Sequence, residues 1–317
     1  MLQDKALLKA TTANLYFMPE EPGYLYFETG PQRTNLLDAA ESSTLAYARY
    51  PTRRPDAEEF RRILEKSGLA LIQTFGDFFV DHASTGRGFF AANDERGLLA
   101  FRGTEADNVH DLLADGDLRL IADDQIPVAG ALVHRGFYRY LRSIWPEVSR
   151  TVAAYRRTYP DNEICITGHS LGGALATLAF AYLEDPKTSL YTFGCPRAGN
   201  EQFCSLINDA ATGQPCYRVV DNEDLVTHVP LTFSDLGYMH PKITVLWIDG
   251  KRVLIKNPEP PLRDATSIGD FVAWYVGKLF RKLHMKLPGP LADHSPVRYC
   301  HWVVQKAAAD SGYWMMT

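Results

Sequence analysis

Along this chain, short apolar runs alternate with stretches whose apolar positions recur at helical spacing. The helical spacing covers residues 34–48, 56–67 and 140–158. Apolar or β-rich runs occupy 69–75, 163–167, 190–193 and 216–220, and two hairpins are predicted, one pairing 89–92 with 98–101 and one pairing 242–249 with 251–255. Strands that alternate with helices indicate an α/β layer fold, with helices covering a mostly parallel central sheet.

The stretch from 231 to 290 is less regular than the rest. It contains a predicted helix from about 267 to 286, whose broad apolar face includes Phe271 and Tyr275, while Trp274 lies among the polar positions. A stripe of this width is usually the buried side of a surface helix. Trp274 and the neighbouring Lys/Arg residues favour a second interpretation, a cap or interfacial helix. We therefore expect residues 1–317 to form a single α/β domain, with 231–290 as a cap or insertion.

The strongest chemical signal is the sequence Gly-His-Ser-Leu-Gly at 168–172. It matches the G-x-S-x-G nucleophile elbow of serine hydrolases, and it lies between a predicted strand (163–167) and a predicted helix (174–180), which is the context that the motif requires. A glycine-rich phosphate loop would need a Lys-Ser/Thr pair after the glycines, and none follows. The pattern therefore predicts that Ser170 is a nucleophile.

Composition and charge narrow the function further. The 317 residues carry a net charge of −5, so no global basic field attracts nucleic acid. No run of 18 apolar residues predicts a transmembrane helix, and the first residues do not resemble a signal peptide. Localisation stays open between the cytoplasm and export by a signal-less route.

The five cysteines are odd in number and show no C-x-x-C spacing. Neither a disulfide framework nor a zinc site is indicated, although a Cys204–Cys216 pair stays open. Cys165 falls in a predicted core strand, where it acts as a small hydrophobic residue. We expect no metal and no cofactor.

A serine hydroxyl needs a general base, and the base needs an acid to orient it. In hydrolases with this elbow the chain order is Ser, then Asp or Glu, then His. His169 follows the strand directly and is expected to point away from the nucleophile at so sharp a turn. The histidines after the elbow are His228, His240, His284, His294 and His301.

Several further segments, in the same order from 88 to 300, resemble the class 3 lipases, the fungal-lipase-like branch of the α/β-hydrolases. They read AFRGT at 100–104, VHRGF at 133–137, TGHSLGGALA at 167–176, YTFGCPRAGN at 191–200, Asp224-Leu225-Val226 with Val229-Pro230, and Asp293-His294 with Tyr299. The first 60 or so residues and 231–290 match weakly, as loops and caps usually do.

The resemblance implies a catalytic triad in which Ser170 is the nucleophile, Asp224 the orienting acid and His294 the base. Asp224 follows a β-rich run, at the strand end where active sites of open sheets lie. The competing residues are Asp221 and Glu223 for the acid and His301 for the base. Ordinary solvated loop carboxylates are the alternative interpretation of all three acids.

The resemblance also implies an oxyanion hole. One backbone N–H comes from Leu171, the residue after the nucleophile, and the second is expected from Thr104, whose hydroxyl adds a donor. His134 and Arg197 are expected to have structural roles, a hydrogen bond and a buried cation respectively.

The family resemblance implies a helical lid at about 105–132, but that stretch is acidic and lacks an amphipathic pattern. We therefore assign the lid or substrate contact to Trp274, Phe271 and Tyr275. The predicted function is a carboxylic ester hydrolase of the triacylglycerol lipase type, with a lipid ester as substrate and a lipid interface as a contact. The alternatives are a phospholipase A1 or galactolipase, a non-lipid carboxylesterase and, more remotely, an inactive lipid-surface-binding module.

Overall fold

The structure of the protein is a computed structural model, and it describes the residues that form an α/β sheet and its covering helices. The described residues are 35–47, 57–78, 86–103, 118–221, 224, 226–230, 237–248, 253–255, 294–296, 298–300, 302–303 and 306. Among them the helices are α1 (Asn35–Leu45), α2 (Ala57–Lys66), α3 (Arg135–Thr158), α4 (Leu171–Leu183) and α5 (Glu201–Ala210).

Strands make up two sheets. They are β1 (Ala70–Phe75), β2 (Gly88–Ala92), β3 (Arg96–Phe101), β4 (Leu120–Ile121), β5 (Val133–His134), β6 (Glu163–His169), β7 (Thr188–Phe193), β8 (Gly199–Asn200), β9 (Cys216–Asp221), β10 (Tyr238–Met239), β11 (Thr244–Ile248) and β12 (Val253–Ile255). The main sheet has the order β1-β2-β3-β6-β7-β9-β11-β12, and β10-β8-β5-β4 form a smaller one.

The centre of the main sheet is parallel and its edges are antiparallel. Parallel pairing runs from β3 through β6, β7 and β9 to β11, whereas β1, β2 and β12 pair antiparallel with their neighbours. The parallel strands need crossover connections, and α4 provides the one between β6 and β7. The predicted α/β architecture with a mostly parallel sheet is confirmed.

Helices pack on both faces of this sheet. On one face, α3 and α4 bury a continuous core against β3 and β6, with Phe137, Leu175 and Ile166 in its interior. On the other face, α1 lies on β6, where the Thr167 hydroxyl donates to the carbonyl of Ala39 at 3.1 Å. Both faces of β6 are therefore covered, as a central parallel strand requires.

Most predicted elements match the structure within two residues, and both predicted hairpins are present as β2–β3 and β11–β12. The start of α3 differs, because the helix begins at Arg135 and not at 140. Its N-cap is His134, whose Nδ1 accepts hydrogen bonds from the backbone N–H groups of Gly136 and Phe137. Histidine is not among the common N-cap residues, so no capping residue marks this start in the sequence.

The acidic stretch is partly described, from residue 118 onward, and this part contains no helix, as expected. Most of this part is exposed, but Asp123 is buried and accepts a hydrogen bond from the Tyr182 hydroxyl. Burial raises the pKa of the Asp123 carboxyl despite that bond.

Several predictions fall on residues outside the described part of the chain. They concern Thr104, Trp274, Phe271, Tyr275 and the helix at 267–286, and they stay predictions, as does the domain division. Among the described residues no helix is long and apolar enough to cross a membrane. Cys204 and Cys216 are buried and do not form the disulfide that the sequence left open.

Candidate active site

The nucleophile elbow has the geometry that its motif predicts. β6 ends at His169, α4 begins at Leu171, and Ser170 between them has a φ of +58°. A non-glycine residue rarely adopts a positive φ, and such strain is concentrated at functional sites. The turn holds Ser170 firmly, because its N–H donates to the Phe193 carbonyl at 2.9 Å and its own carbonyl accepts from Gly173 N–H at 2.9 Å.

The glycines of the elbow make room for backbone. A Cβ on Gly168 would overlap the carbonyl of Gly172, and a Cβ on Gly172 would overlap the carbonyl of Phe101 at the end of β3. Helix α4 therefore starts in direct contact with the end of β3. This contact places Leu171 beside the turn that follows β3, which is where the sequence predicts the second oxyanion donor.

The predicted acid and base meet in the structure. His294 Nδ1 lies 2.8 Å from Asp224 Oδ2, and both side chains are almost completely buried. Asp224 Oδ1 is held separately by the N–H of Val226 at 2.8 Å. With one oxygen fixed by the backbone, the other can bind the N–H of a neutral imidazole, which places the free nitrogen of His294 on the opposite side of the ring.

Tyr299 adds a third group to this pair. Its hydroxyl donates to Asp224 Oδ2 at 2.6 Å and accepts from the N–H of Asp221 at 3.0 Å. Burial and the neighbouring Asp224 raise the pKa of Tyr299 well above its usual value, so the phenol stays protonated and acts as a hydrogen-bond donor. Its position in the sequence beside the predicted base was noted, but its bond to the acid was not.

Asp221, the competing acid, has a different environment. It is buried, and Arg298 Nε donates to its Oδ2 at 2.6 Å. Neither Asp221 nor Asp224 is the solvated carboxylate of the alternative interpretation. Among the two, Asp224 is the one bonded to a histidine, while Glu223 and His301 lie outside the described residues.

Three buried polar atoms of the site have no hydrogen bond with the described residues. They are His169 Nε2, Ser170 Oγ and His294 Nε2. Native structures rarely leave such atoms unsatisfied, and functional sites are one of the places where they do. Ser170 Oγ and His294 Nε2 correspond to the two atoms between which a serine hydrolase transfers its first proton.

Gly194 lets the acid and base approach the end of β7. Its φ is +57°, and an added Cβ would lie 2.8 Å from Asp224 Oδ2 and 3.1 Å from His294 Cε1. A side chain here would displace the pair. Sequence reasoning missed this role, and the only signal for it was a glycine directly after a predicted strand.

His169 also belongs to the surroundings of the base. The sequence predicted that it points away from Ser170, and the structure shows that its ring lies against the ring of His294, with centroids 4.5 Å apart. Its Nδ1 is 2.9 Å from the hydroxyl of Tyr47. Burial, then the neighbouring His294, lower the pKa of His169 well below its usual value, so this imidazole is neutral.

The oxyanion hole is described in part. Leu171 is the first residue of α4, so its N–H has no partner within the helix and lies at the positive end of the helix dipole. This is a suitable place for negative charge to develop. Thr104 lies outside the described residues.

The remaining described candidates have structural roles. His134 caps α3, and burial lowers its pKa to about 4. His240 Nε2 lies 2.6 Å from the Thr227 carbonyl. Arg197 is buried and donates to the backbone carbonyls of His228 and Pro230. The predicted structural roles of His134 and Arg197 are confirmed. Within the described residues, no group of three His, Cys, Asp or Glu side chains is arranged to hold a metal ion.

A strand–serine–helix elbow, a buried acid–histidine pair beyond the next strands and a mostly parallel sheet define an α/β-hydrolase fold. The family model "Lipase (class 3)" matches residues 98–234. Over this segment the chain is similar to the class 3 lipases.

Relatives of known function are lipases. The chain is 36% identical over 126 residues to a secreted mono- and diacylglycerol lipase 1 from Fusarium solani, covering 39% of this chain and 36% of that protein. It is 32% identical over 193 residues to a lipase from Rhizopus niveus, covering 56% and 47%. The match therefore spans less than half the length of these relatives. A solved lipase from Rhizopus microsporus var. chinensis superposes with a TM-score of 0.57 at 28% identity, covering 76% of this chain and 87% of that one.

Proposed function

We propose that this protein is a serine hydrolase that cleaves the carboxylic ester bonds of acylglycerols. The observation that carries the proposal is the buried hydrogen bond between Asp224 and His294, in a chain whose Ser170 is held at positive φ in a strand–helix elbow. A buried carboxylate orients and stabilises a catalytic imidazole, which then activates the serine hydroxyl. This arrangement has a chemical purpose that a lipid-binding module would not need.

In the proposed reaction, His294 Nε2 takes the proton of Ser170 Oγ as this oxygen attacks the ester carbonyl. The tetrahedral intermediate places its negative oxygen near the N–H of Leu171, with Thr104 as the proposed second donor. Asp224 stabilises the His294 imidazolium that forms. His294 then returns the proton to the leaving alcohol, and the acyl group stays on Ser170.

Water completes the cycle. His294 removes a proton from a water molecule, which attacks the acyl-serine carbonyl. The second tetrahedral intermediate then breaks its bond to Ser170 Oγ and releases the fatty acid, while His294 returns the proton to that oxygen. Every proton is carried by His294, so this mechanism uses no metal ion and no cofactor. A reaction in two half-steps predicts a burst of alcohol before the steady state when deacylation is slow.

The family match and the relatives support the substrate class. The relatives include a mono- and diacylglycerol lipase and a lipase, so glycerol esters are the proposed substrates. The predicted apolar segment with Trp274, Phe271 and Tyr275 is the proposed contact with a lipid interface.

Hydrolysis of a panel of esters tests this function. The panel is a triacylglycerol emulsion, a diacylglycerol emulsion, phosphatidylcholine vesicles, galactolipid micelles and a soluble p-nitrophenyl butyrate. We expect release of fatty acid from acylglycerols, and a loss of about 10⁴-fold or more in kcat for Ser170→Ala. The matched control is Ser149→Ala on α3, a partly exposed serine whose hydroxyl donates to the Pro146 carbonyl.

Each outcome of the panel has a meaning. Preference for phospholipid or galactolipid would replace the substrate class and keep the mechanism. Cleavage of the soluble ester alone would make the protein a non-lipid esterase. Full activity of a folded Ser170→Ala variant, or no hydrolysis of any ester by the wild-type protein, would overturn the proposal.

A further inference from the structure

The turn after α1 brings a tyrosine into the centre of the site. Tyr47 is buried, and its hydroxyl lies 2.9 Å from His169 Nδ1 and 3.3 Å from the His169 carbonyl. Only a glycine at position 103 permits this, because a Cβ there would overlap the Tyr47 hydroxyl. Tyr47 therefore joins two segments that flank the chemistry, the turn after β3 and the residue before Ser170.

The ring of His169, held by Tyr47, packs in turn against the ring of His294. The two rings are tilted by 38°, with centroids 4.5 Å apart, and Tyr299 contacts the edge of the same group with its centroid 5.6 Å from that of His169. The His294 ring is thus held on one side by Asp224 and on another by His169. A ring fixed by two neighbours has fewer rotamers to lose when it aligns with Ser170.

The hydrogen bond to Tyr47 also limits rotation of the His169 ring. The Tyr47 hydroxyl lies 2.9 Å from Nδ1 of the ring and 3.3 Å from the His169 carbonyl, so one group contacts both the side chain and the backbone of His169.

We propose that Tyr47 and His169 are positioning residues for the general base, with Tyr47 fixing the ring of His169 and His169 holding His294 against Asp224. The inference rests on the proposed function, since it requires His294 to be the base. Neither residue touches the reacting atoms. Sequence reasoning gave Tyr47 no role, and it treated His169 only as a residue excluded from the base assignment.

Two variants test the pair, one by removing a single hydroxyl group and the other by removing a whole ring. In Tyr47→Phe the rings remain and only the hydroxyl is lost, whereas His169→Ala removes the ring that packs on His294. On soluble p-nitrophenyl butyrate we expect kcat to fall about 3- to 10-fold for Tyr47→Phe and about 10- to 100-fold for His169→Ala, because small misplacements of a reacting group cost that much. KM should change less than about twofold. His169→Phe, which restores a ring, should recover part of the loss.

The division between kcat and KM separates positioning from stability. When His294 is held less often against Asp224, the base is aligned with Ser170 less often, so kcat per folded molecule should fall in both variants while KM stays near its wild-type value. The titratable and charged groups around the pair are Asp224 and Tyr299 behind His294, the Asp221–Arg298 ion pair beyond them, and Tyr47 itself. None of these is changed in His169→Ala.

The matched control is Tyr155→Phe. Tyr155 is a largely buried tyrosine on α3 whose hydroxyl donates to the Asn93 carbonyl at 3.1 Å, so it also loses a hydroxyl bond. It should leave kcat at the wild-type value. If folded Tyr47→Phe and His169→Ala keep the wild-type kcat, or if they lose activity only in proportion to lost folded protein, the positioning role is wrong while the proposed function stands. An inactive wild-type protein would overturn both.

Discussion

At the scale of single residues, the site depends on how one carboxylate divides its two oxygens. Asp224 Oδ1 is bound by the backbone of Val226, while Oδ2 accepts from both His294 and Tyr299. A carboxylate held at both oxygens cannot rotate away from its imidazole. Charge-assisted hydrogen bonds of this kind are short and strong, and removing one partner leaves the others in a dry environment.

Replacing each of the two buried aspartates should distinguish the catalytic acid from its structural neighbour. Asp224→Asn should lower kcat by about 10⁴-fold, because an amide does not stabilise the imidazolium and favours the wrong tautomer. Asp221→Asn should keep kcat within about tenfold and lower the free energy of unfolding, because Arg298 loses its ion-pair partner. Steady-state kinetics and urea unfolding of both variants decide the matter, and the reverse pattern would assign the acid to Asp221.

Tyr299→Phe tests the third group. The variant removes a donor from Asp224 and an acceptor from the Asp221 N–H, so the free energy of unfolding should fall by about 1–3 kcal/mol. Because Asp224 also becomes less well oriented, kcat should fall by about tenfold. Tyr238→Phe is the control, since this buried hydroxyl donates to the Leu118 carbonyl at 2.9 Å in the smaller sheet. It should lose stability without losing kcat, and equal kinetics in the two variants would contradict the assignment.

His134 makes a prediction about acid stability. Its pKa is lowered to about 4 in the folded protein from an ordinary value of 6.5, so its contribution is complete above 6.5 and is lost as the pH falls toward 4. His134→Asn keeps an N-cap acceptor for α3 but does not titrate. The free energy of unfolding of the variant minus that of wild type should be about 2 kcal/mol larger at pH 5 than at pH 7.5. Thermal or urea unfolding at both pH values measures this, and parallel curves would show that His134 does not titrate on unfolding.

At the scale of elements, the elbow works because a strand, a turn and a helix are packed without side chains between them. A Cβ on Gly172 would overlap the carbonyl of Phe101, so Gly172→Ala must separate α4 from β3. We expect a loss of about 3 kcal/mol or no folded protein, together with a loss of esterase activity.

Gly213 provides the comparison for that variant. It has a φ of +79° and open space around its Cα, so Gly213→Ala brings only backbone strain. It should cost about 1 kcal/mol and leave kcat unchanged. Calorimetric unfolding of the two variants checks both expectations, and a Gly172→Ala protein with wild-type stability would show that the elbow packing is looser than the structure indicates.

The elements themselves were mostly predictable, and the exceptions have identifiable causes. Apolar runs and periodicity located the central strands and most helices because burial dictates those patterns. The start of α3 was missed because its cap is a histidine. The two-residue strands β4, β5, β8 and β10 were missed because strands so short carry no periodicity.

At the scale of the whole molecule, the site is assembled from distant parts of the chain. Asp224 and His294 were predicted from segments that resemble class 3 lipases. In the structure β6, β7 and β9 are neighbouring parallel strands, so their carboxyl ends lie side by side. The contacts of Tyr47 with His169 and of Tyr299 with Asp224 connect residues 122 and 75 positions apart. No local pattern encodes such pairs, because they depend on how α1 and the C-terminal segment pack on the sheet.

The central claim is that Ser170 is a nucleophile activated by His294, and a covalent label tests it most directly. A p-nitrophenyl alkylphosphonate reacts with the activated serine of hydrolases, and intact-mass measurement with peptide mapping locates the adduct. We predict one adduct per chain, on Ser170, complete loss of labelling in Ser170→Ala, and labelling slowed by about 10³-fold or more in His294→Ala. An adduct on another residue, or equal labelling rates in folded wild-type and His294→Ala proteins, would contradict the account.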